Sequence, residues 1–268
     1  MRGASLDAFD LPALESALAG TVFAGKLHFS PVTDSTNIDA LQAARSGAPH
    51  GSVYFADEQR AGRGRGDHSW DSVAGYGLYL SALLRPPISA NRLPMLPLAA
   101  GLAAAEAIHS VAGIHIDLRW PNDLLIGPRK VGGILVESKI SEGSAEFAVV
   151  GIGINVHQYY FDSDLSTPAT SLDVESWQRV SRQSLLVALL KSLECETRFL
   201  ADPAAAVSIP LRVEQASTWI CGRHVAVHGP QACTGVTAGM DENGFLLVRT
   251  DSGVVTVQTG GIRAAEIS

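Results

Sequence analysis

Gln59-Arg60-Ala61-Gly62-Arg63-Gly64-Arg65 is the stretch from which the rest of this chain is best read. It sets three arginines on a backbone with two glycines, between β-rich runs at 52–56 and 77–84. Glycine lets a main chain approach a ligand closely, and an arginine fork matches the oxygens of a carboxylate or phosphate. Trp70 follows five residues later, within reach of the same loop. Taken alone the segment fits a solvated surface loop equally well, since short basic glycine-rich runs also occur in nucleic-acid-binding tails.

Composition narrows the choice. The 268 residues are 46% hydrophobic and 18% charged, which marks a globular chain of one large domain, or a large and a small one. Twenty basic against 27 acidic side chains leave a net charge of −7. That balance disfavours a nucleic-acid partner and suits a small anion met by a local cluster of cations. Cys195, Cys221 and Cys233 are odd in number and form no Cys-x-x-Cys pair, so they read as reduced thiols. Residues 1–20 include Asp7, Asp10 and Glu15 and lack the apolar core of a signal peptide. The apolar run from Leu98 is interrupted by Glu106 and His109, too soon for a membrane span. A cytoplasmic protein without a membrane partner is expected.

Upstream of the arginine loop, residues 11–18 read as a short helix capped by Asp10, with Pro12 in its first turn. Asp34-Ser35-Thr36-Asn37 precedes Ile38, Leu41 and Ala44, an apolar stripe at helical spacing. Four cap-competent residues exceed what one helix start requires, so the surplus either faces a ligand or merely caps. Downstream, 91–111 reads as a long helix rich in small residues. Ile114, Ile116, Leu118 and Trp120 then alternate as one face of a strand. Trp120-Pro121-Asn122-Asp123 ends that strand; its amide and carboxylate suit Mg²⁺ or nucleotide hydroxyls, and also suit an ordinary turn.

Arg129-Lys130-Val131-Gly132-Gly133-Ile134-Leu135 is sharper: a cationic pair opens a strand at 131–138 and two glycines follow. Lysine supplies a compact charge there, and glycine frees a backbone N–H for an oxyanion. Another strand, 147–156, carries Gly151 and Gly153, and interior glycines mark close approach of a ligand or a second backbone. Residues 181–200 form an amphipathic helix. From 218 onward, short β-rich pieces (223–227, 233–238, 245–248, 254–258) separated by turns suggest a small β-barrel packed on the main domain. Walker A, H-E-x-x-H and G-x-S-x-G patterns are absent, and His224 and His228 have no evident carboxylate partner.

Five elements occur in one order: Asp34–Asn37, Gln59–Arg65 with Trp70, Trp120–Asp123, Lys130–Gly133 and Gly151-Ile152-Gly153-Ile154-Asn155. Together they closely resemble the biotin protein ligases (biotin–acetyl-CoA-carboxylase ligases), densely over 29–155 and more loosely to the C-terminus. The resemblance implies an α/β (α+β) fold. A mixed β-sheet with flanking helices would occupy 1–217, and a small C-terminal SH3-like β-barrel would occupy 218–268. It also implies two reactions: biotin and MgATP give biotinyl-5′-AMP and pyrophosphate, and a lysine of a biotin carboxyl carrier protein then takes the biotinyl group.

By the same resemblance, Ser35, Thr36, Asn37 and Gln59 bind the ureido end of biotin, with the backbone of Gly62, Arg63 and Gly64 closing over it. Arg65 and Gly133 lie near its carboxylate. Lys130 bridges that carboxylate and the α-phosphate, and Arg63 faces phosphate. Asn122, Asp123 and Asn155 sit at the nucleotide, Asp123 being the candidate Mg²⁺ ligand and the candidate base for the acceptor lysine. Trp70 covers the nucleotide. The physics agrees, because joining two anions requires cations fixed in advance at the developing charge. A unit pair about 4 Å apart is worth roughly 4 kcal/mol at an effective dielectric near 20.

Two departures stand out. Gly66-Asp67-His68-Ser69 replaces further basic residues common in the family, and Val213 replaces a tryptophan that some members place against adenine. About thirty residues precede the first motif, too few for the winged helix-turn-helix of repressor members, so a monofunctional ligase without nucleic-acid binding is expected; a homodimer is left open. The rival readings are a lipoate or octanoate ligase or transferase, and a non-catalytic biotin-binding regulator. The second conflicts with Arg63, Arg65 and Lys130, since a neutral ureido ring needs none of that charge.

Overall fold

The computed structural model describes residues 8–66 and 68–265; Asp7 and Asp67, used in the readings above, lie outside them. Strands β1 (Leu27–Thr33), β2 (Ser52–Gln59), β3 (Gly77–Leu84), β4 (Asp117–Arg119), β5 (Asp123–Ile126), β6 (Arg129–Ser141) and β7 (Ser144–Asn155) make one sheet. Its order is β1-β2-β3-β7-β6-β5-β4. β1 and β2 are parallel and every other pairing is antiparallel, so the sheet is mixed, as expected.

Period-two alternation gives the three central strands two different faces. Leu78, Leu80, Ala82 and Leu84 of β3, Ile134 of β6, and Ala148, Val150, Ile152 and Ile154 of β7 enter the main core. The opposite face carries Leu83, Phe147 and Val149, which pack with Ala40 and Ala44 of a separate small cluster. It also carries Leu135 and, beside it, Ser81, Gly133, Glu137, Gly151 and Gly153, which are too small or too polar to continue a core. That half of the face is where a ligand can lie.

Helix α1 (Leu11–Ala17) is capped as expected, the Asp10 carboxylate accepting from the Ala13 N–H. Helix α2 (Thr36–Arg45) covers the apolar half of the second face. Helix α3 (Leu96–Ala112) covers the core face, and α5 (Arg182–Ala201), which follows the short α4 (Leu172–Ser176), packs on it. Buried Ala99, Ala100, Ala103, Ala104 and Ala107 let α5 come close with Leu185, Leu186, Leu189, Leu190 and Leu193. Each such leucine contributes about 2 kcal/mol by leaving water. The helical segment Ala90–Ala112 is long and apolar enough to cross a membrane, which the sequence reading had not allowed, but most of it is buried inside this fold.

After α6 (Pro203–Ala206) and α7 (Ser208–Gln215), strands β8 (Cys221–His228), β9 (Cys233–Met240), β10 (Leu246–Thr250), β11 (Gly253–Val257) and β12 (Gly261–Ala264) form the small C-terminal β-unit. It is an antiparallel sheet in the order β11-β10-β9-β8-β12, with β11 and β12 as its edges among the described residues. Val225, Val227, Leu246, Val248, Val257 and Ile262 join the main core, and Trp120 Nε1 donates to the Gly244 carbonyl at 3.0 Å. A unit of this size is thereby stabilised by what it packs on.

The expected small barrel is an open antiparallel sheet among the described residues, and two further elements differ from the sequence reading. The helix expected over 91–111 begins as a 3-10 turn, Ala90–Met95, because Pro94 and Pro97 withhold donors. The strand expected over 114–120 shrinks to Asp117–Arg119. Ile116, Leu118 and Trp120 are buried as the alternation required, and Arg119 is buried with them because its charge is paired.

Candidate active site

The polar half of the second face is a trough cut by glycines. Ser81 and Leu135 flank Gly151 in register, and one pair further along Tyr79 and Gly133 flank Gly153. Side chains at these glycines would fill the trough: a Cβ at Gly151 would collide with the Asn37 amide, and one at Gly153 would stand 2.7 Å from Trp70 Nε1. The start of α2, the arginine loop, Asn122 and Lys130 close a cleft of about 470 Å³ over it.

The inner end is a hydrogen-bonded polar chain. Ser35 occupies the N-cap position of α2 without making a side-chain cap bond, and Ser35, Thr36 and Asn37 are all buried. Gln59 Oε1 accepts from the Thr36 N–H (2.9 Å) and hydroxyl (3.1 Å), while its Nε2 donates to Ser72 Oγ at 2.7 Å. The Thr36 and Ser81 hydroxyls are 2.8 Å apart, and Ser81 Oγ donates to Asn37 Oδ1 at 2.5 Å. Asn37 Nδ2 donates to Glu137 Oε2 at 3.0 Å. An ionised carboxylate only accepts, so Glu137 fixes which end of the Asn37 amide points to Ser81. The surplus cap residues serve the cleft rather than the helix.

The described residues of the arginine loop pair as the two arms of a hairpin. Gly64 N–H donates to the His68 carbonyl (2.7 Å) and Trp70 N–H to the Gly62 carbonyl (2.8 Å). Gly62 is required here, because a Cβ would meet the Trp70 carbonyl and Ser72 Oγ. Arg63 Nη1 reaches both Glu137 oxygens at 3.0 and 3.1 Å. Arg65 turns the other way and donates to the Gly260 carbonyl and to Thr259 Oγ1 in the C-terminal sheet. Trp70 rests against Gly133 and Gly153 with Lys130 Nζ 5.5 Å from its ring centre, and its buried Nε1 has no hydrogen-bond acceptor.

At the outer end Asp123 joins two cations. Lys130 Nζ lies 2.5 Å from Oδ1, and Arg119 donates to Oδ2 through Nε (3.0 Å) and Nη2 (2.7 Å). Burial alone would raise the Asp123 carboxyl, but Lys130 and Arg119 outweigh it and hold the group below the ordinary carboxylate value. Arg65 stands in the same field: burial pulls its guanidinium down and Asp123 opposes that. A carboxyl whose folded value is depressed adds stability above its unfolded value of about 3.9 and loses it as pH falls through the lower folded value. Asp123→Asn is therefore expected to lower the melting temperature at pH 7 by roughly 5 °C, the scale for one to two kcal/mol in a chain of this size. Melting curves recorded against pH should show the two proteins converging below about pH 4; a gap independent of pH would contradict the assignment.

Of the residues expected in the site, Ser35, Thr36, Asn37, Gln59, Arg63, Gly64, Arg65, Trp70, Asn122, Lys130 and Gly133 line this one cleft. Gly62 sits beneath the loop, and Asp123 meets the cleft through Lys130. Asn122 is fixed by donating to the Ile134 carbonyl at 2.7 Å. Asn155 is not in the cleft: it is buried and donates to the Thr170 carbonyl at 3.1 Å. Both Asp123 oxygens are engaged by cations, and the described residues contain no cluster of three His, Cys, Asp or Glu; Mg²⁺ carried on phosphates needs only one or two carboxylates. Val213 lines a second, apolar hollow of about 230 Å³ beside Asn122 and Asp123. His68 contributes its carbonyl to the hairpin. Sequence reasoning missed Glu137, Ser81, Ser72, Thr259 and Gly260, which act through partners far away in the chain.

Comparison with known proteins agrees with this geometry. The Biotin/lipoate A/B protein ligase family model matches residues 29–155. The chain is 32% identical to the bifunctional ligase/repressor of Bacillus subtilis, over 88% of this chain and 73% of that protein. It is 32% identical to the biotin–[acetyl-CoA-carboxylase] ligase of Mycobacterium tuberculosis, over 86% and 85%. The biotin protein ligase of Aquifex aeolicus, solved with biotin and ATP, superposes with a TM-score of 0.76 at 29% identity, covering 89% of this chain and 98% of that one.

Proposed function

This chain belongs to the biotin/lipoate A/B protein ligase family, and from that we propose that it is a biotin protein ligase: it adenylates biotin with ATP and passes the biotinyl group to a lysine of a biotin carboxyl carrier protein. One observation supports this most: Arg63, Arg65 and Lys130 converge on the cleft whose inner end is the Gln59–Thr36–Ser81–Asn37 chain. That end offers donors and acceptors to a ureido ring; the other end offers positive charge to a carboxylate and phosphates.

In the first step a biotin carboxylate oxygen attacks the α-phosphorus of ATP, a P–O bond forms, and the bond to pyrophosphate breaks. Lys130 moves from Asp123 to bridge carboxylate and α-phosphate, with Arg63 facing phosphate and Arg65 near the carboxylate. In the second step the acceptor amine attacks the acyl carbon and AMP leaves. That amine has a reference pKa near 10.4 and must lose a proton. With Lys130 drawn to phosphate, Asp123 Oδ1 is the carboxylate oxygen left to take it. Trp70 already rests over Gly133 and Gly153, where it can cover the adenylate and keep water from a reactive anhydride. The apolar wall with Val213 beside Asn122 is the side on which adenine would lie. Mg²⁺ bound with the triphosphate would neutralise charge on the phosphates, and Asn122 and Asp123 are the residues that would hold it.

We place the division between the catalytic and C-terminal units at 217/218, and the protein in the cytoplasm. The test is transfer: with biotin, MgATP and a biotin carrier domain, mass spectrometry should find one biotinylated lysine on the carrier, and lipoate in place of biotin should give none. Labelling by lipoate with equal efficiency would favour the lipoate branch of the family.

A further inference from the structure

Arg63 and Arg65, two residues apart, are held by different halves of the molecule. Glu137 of β6 takes Arg63. Arg65 is taken by the turn between β11 and β12, through the Gly260 carbonyl and Thr259 Oγ1, the latter at 2.9 Å. This turn is built rather than loose. Gln231 Oε1 accepts from the backbone N–H groups of Gln258 (2.7 Å) and Thr259 (3.3 Å), and its Nε2 donates to the Thr256 carbonyl at 2.8 Å. Gly260 has φ +130°, and a Cβ there would collide with the His228 carbonyl, so the path of the turn is fixed. Docking of the C-terminal sheet does not depend on this contact: the Trp120–Gly244 bond, a 2.8 Å bond from the Met240 N–H to Glu214 Oε1, and shared core residues already make the junction.

We propose that the Thr259–Gly260 turn is a clasp: it positions Arg65 so that the arginine loop stays shut over the cleft between adenylation and transfer. The proposal rests on the reading of the cleft as the site of the biotinyl adenylate, and it gives the C-terminal sheet a part in the reaction. Thr259 touches no reacting atom; it acts through Arg65. Because Arg63 keeps its separate anchor, loosening the clasp lets the loop swing on one fixed end, and the adenylate escapes before a carrier lysine arrives.

The test is Thr259→Val, which keeps the side-chain shape and removes the oxygen that Arg65 uses. Three quantities are measured without acceptor protein: biotin-dependent ATP–pyrophosphate exchange, biotinyl-AMP released into the filtrate, and the melting temperature. The expected result is exchange within about twofold of the parent and unchanged melting, as for most surface substitutions. Release should rise about tenfold, the fold-change for losing one hydrogen bond to a charged group, and Thr259→Ser should return it to the parental level. Parental release in the valine variant would overturn the clasp, as would a fall in melting temperature with exchange and release reduced together. If the parent itself shows no biotin-dependent exchange, the ligase reading fails and the clasp falls with it.

Discussion

Lys130→Ala lowers biotin-dependent ATP–pyrophosphate exchange by at least about a hundredfold, the scale for removing one charge fixed in advance at a transition state. Lys130 Nζ sits at the cleft between Asp123 and the Trp70 ring, and its chain packs beside Gly133. The other described cations around the cleft are committed elsewhere: Arg119 to Asp123 and Thr167, Arg63 to Glu137, and Arg65 to the C-terminal turn. The loss should fall on kcat. The KM for biotin should change little, because the inner polar chain proposed to hold the ureido ring does not include Lys130. Exchange near the parental rate would remove Lys130 from the mechanism. A loss confined to KM would make it a binding residue only.

Gly151→Ala acts at the other end and should do the reverse. The added methyl meets the Asn37 amide, which is buried and committed at both ends, to Ser81 through Oδ1 and to Glu137 through Nδ2. Displacing it breaks those two bonds and strands buried groups, each at about 1–3 kcal/mol. Binding of biotin should weaken roughly thirtyfold and the melting temperature should fall by several degrees, about 2–4 °C per kcal/mol, with ATP binding much less affected. Isothermal titration with each substrate separates these effects. Equal weakening of ATP and biotin would show that the glycine serves the whole trough and not the ureido end, and unaltered biotin binding would remove Asn37 from recognition.

The features readable in the sequence share one property: their cause is local. Continuous apolar runs gave β3 and β7 because strands covered on both faces need no alternation. Gly151 and Gly153 signalled close approach, and each lies against a side chain, Asn37 and Trp70, that could not otherwise fit. The arginine loop signalled its chemistry through composition. The partners of those arginines were out of reach: Glu137 is 74 residues from Arg63 and Gly260 is 195 from Arg65, so only the folded sheets bring them together. The pairing of Asp123 was out of reach for the same reason. Its neighbour Lys130 was visible, but Arg119 looked like one more residue of an alternating strand, and only the turn at Pro121 brings it back onto the carboxylate. Asn155 ends a strand that does line the cleft and shares the face of Gly151 and Gly153, yet its side chain lies beyond the cleft and donates to the Thr170 carbonyl. Strand β12 carries too little apolar pattern over Gly261–Ala264 to be read without its partner β8.

Because Lys130 is the proposed hinge between the resting arrangement and the reactive one, the most direct test is a crystal structure of this protein with biotin and a non-hydrolysable ATP analogue. The account predicts that Lys130 Nζ has left Asp123 Oδ1 and lies within hydrogen-bond distance of both the biotin carboxylate and the α-phosphate, with the ureido ring against Gln59 and Thr36. Lys130 still paired to Asp123, with the two ligands bound away from Arg63 and Arg65, would contradict it.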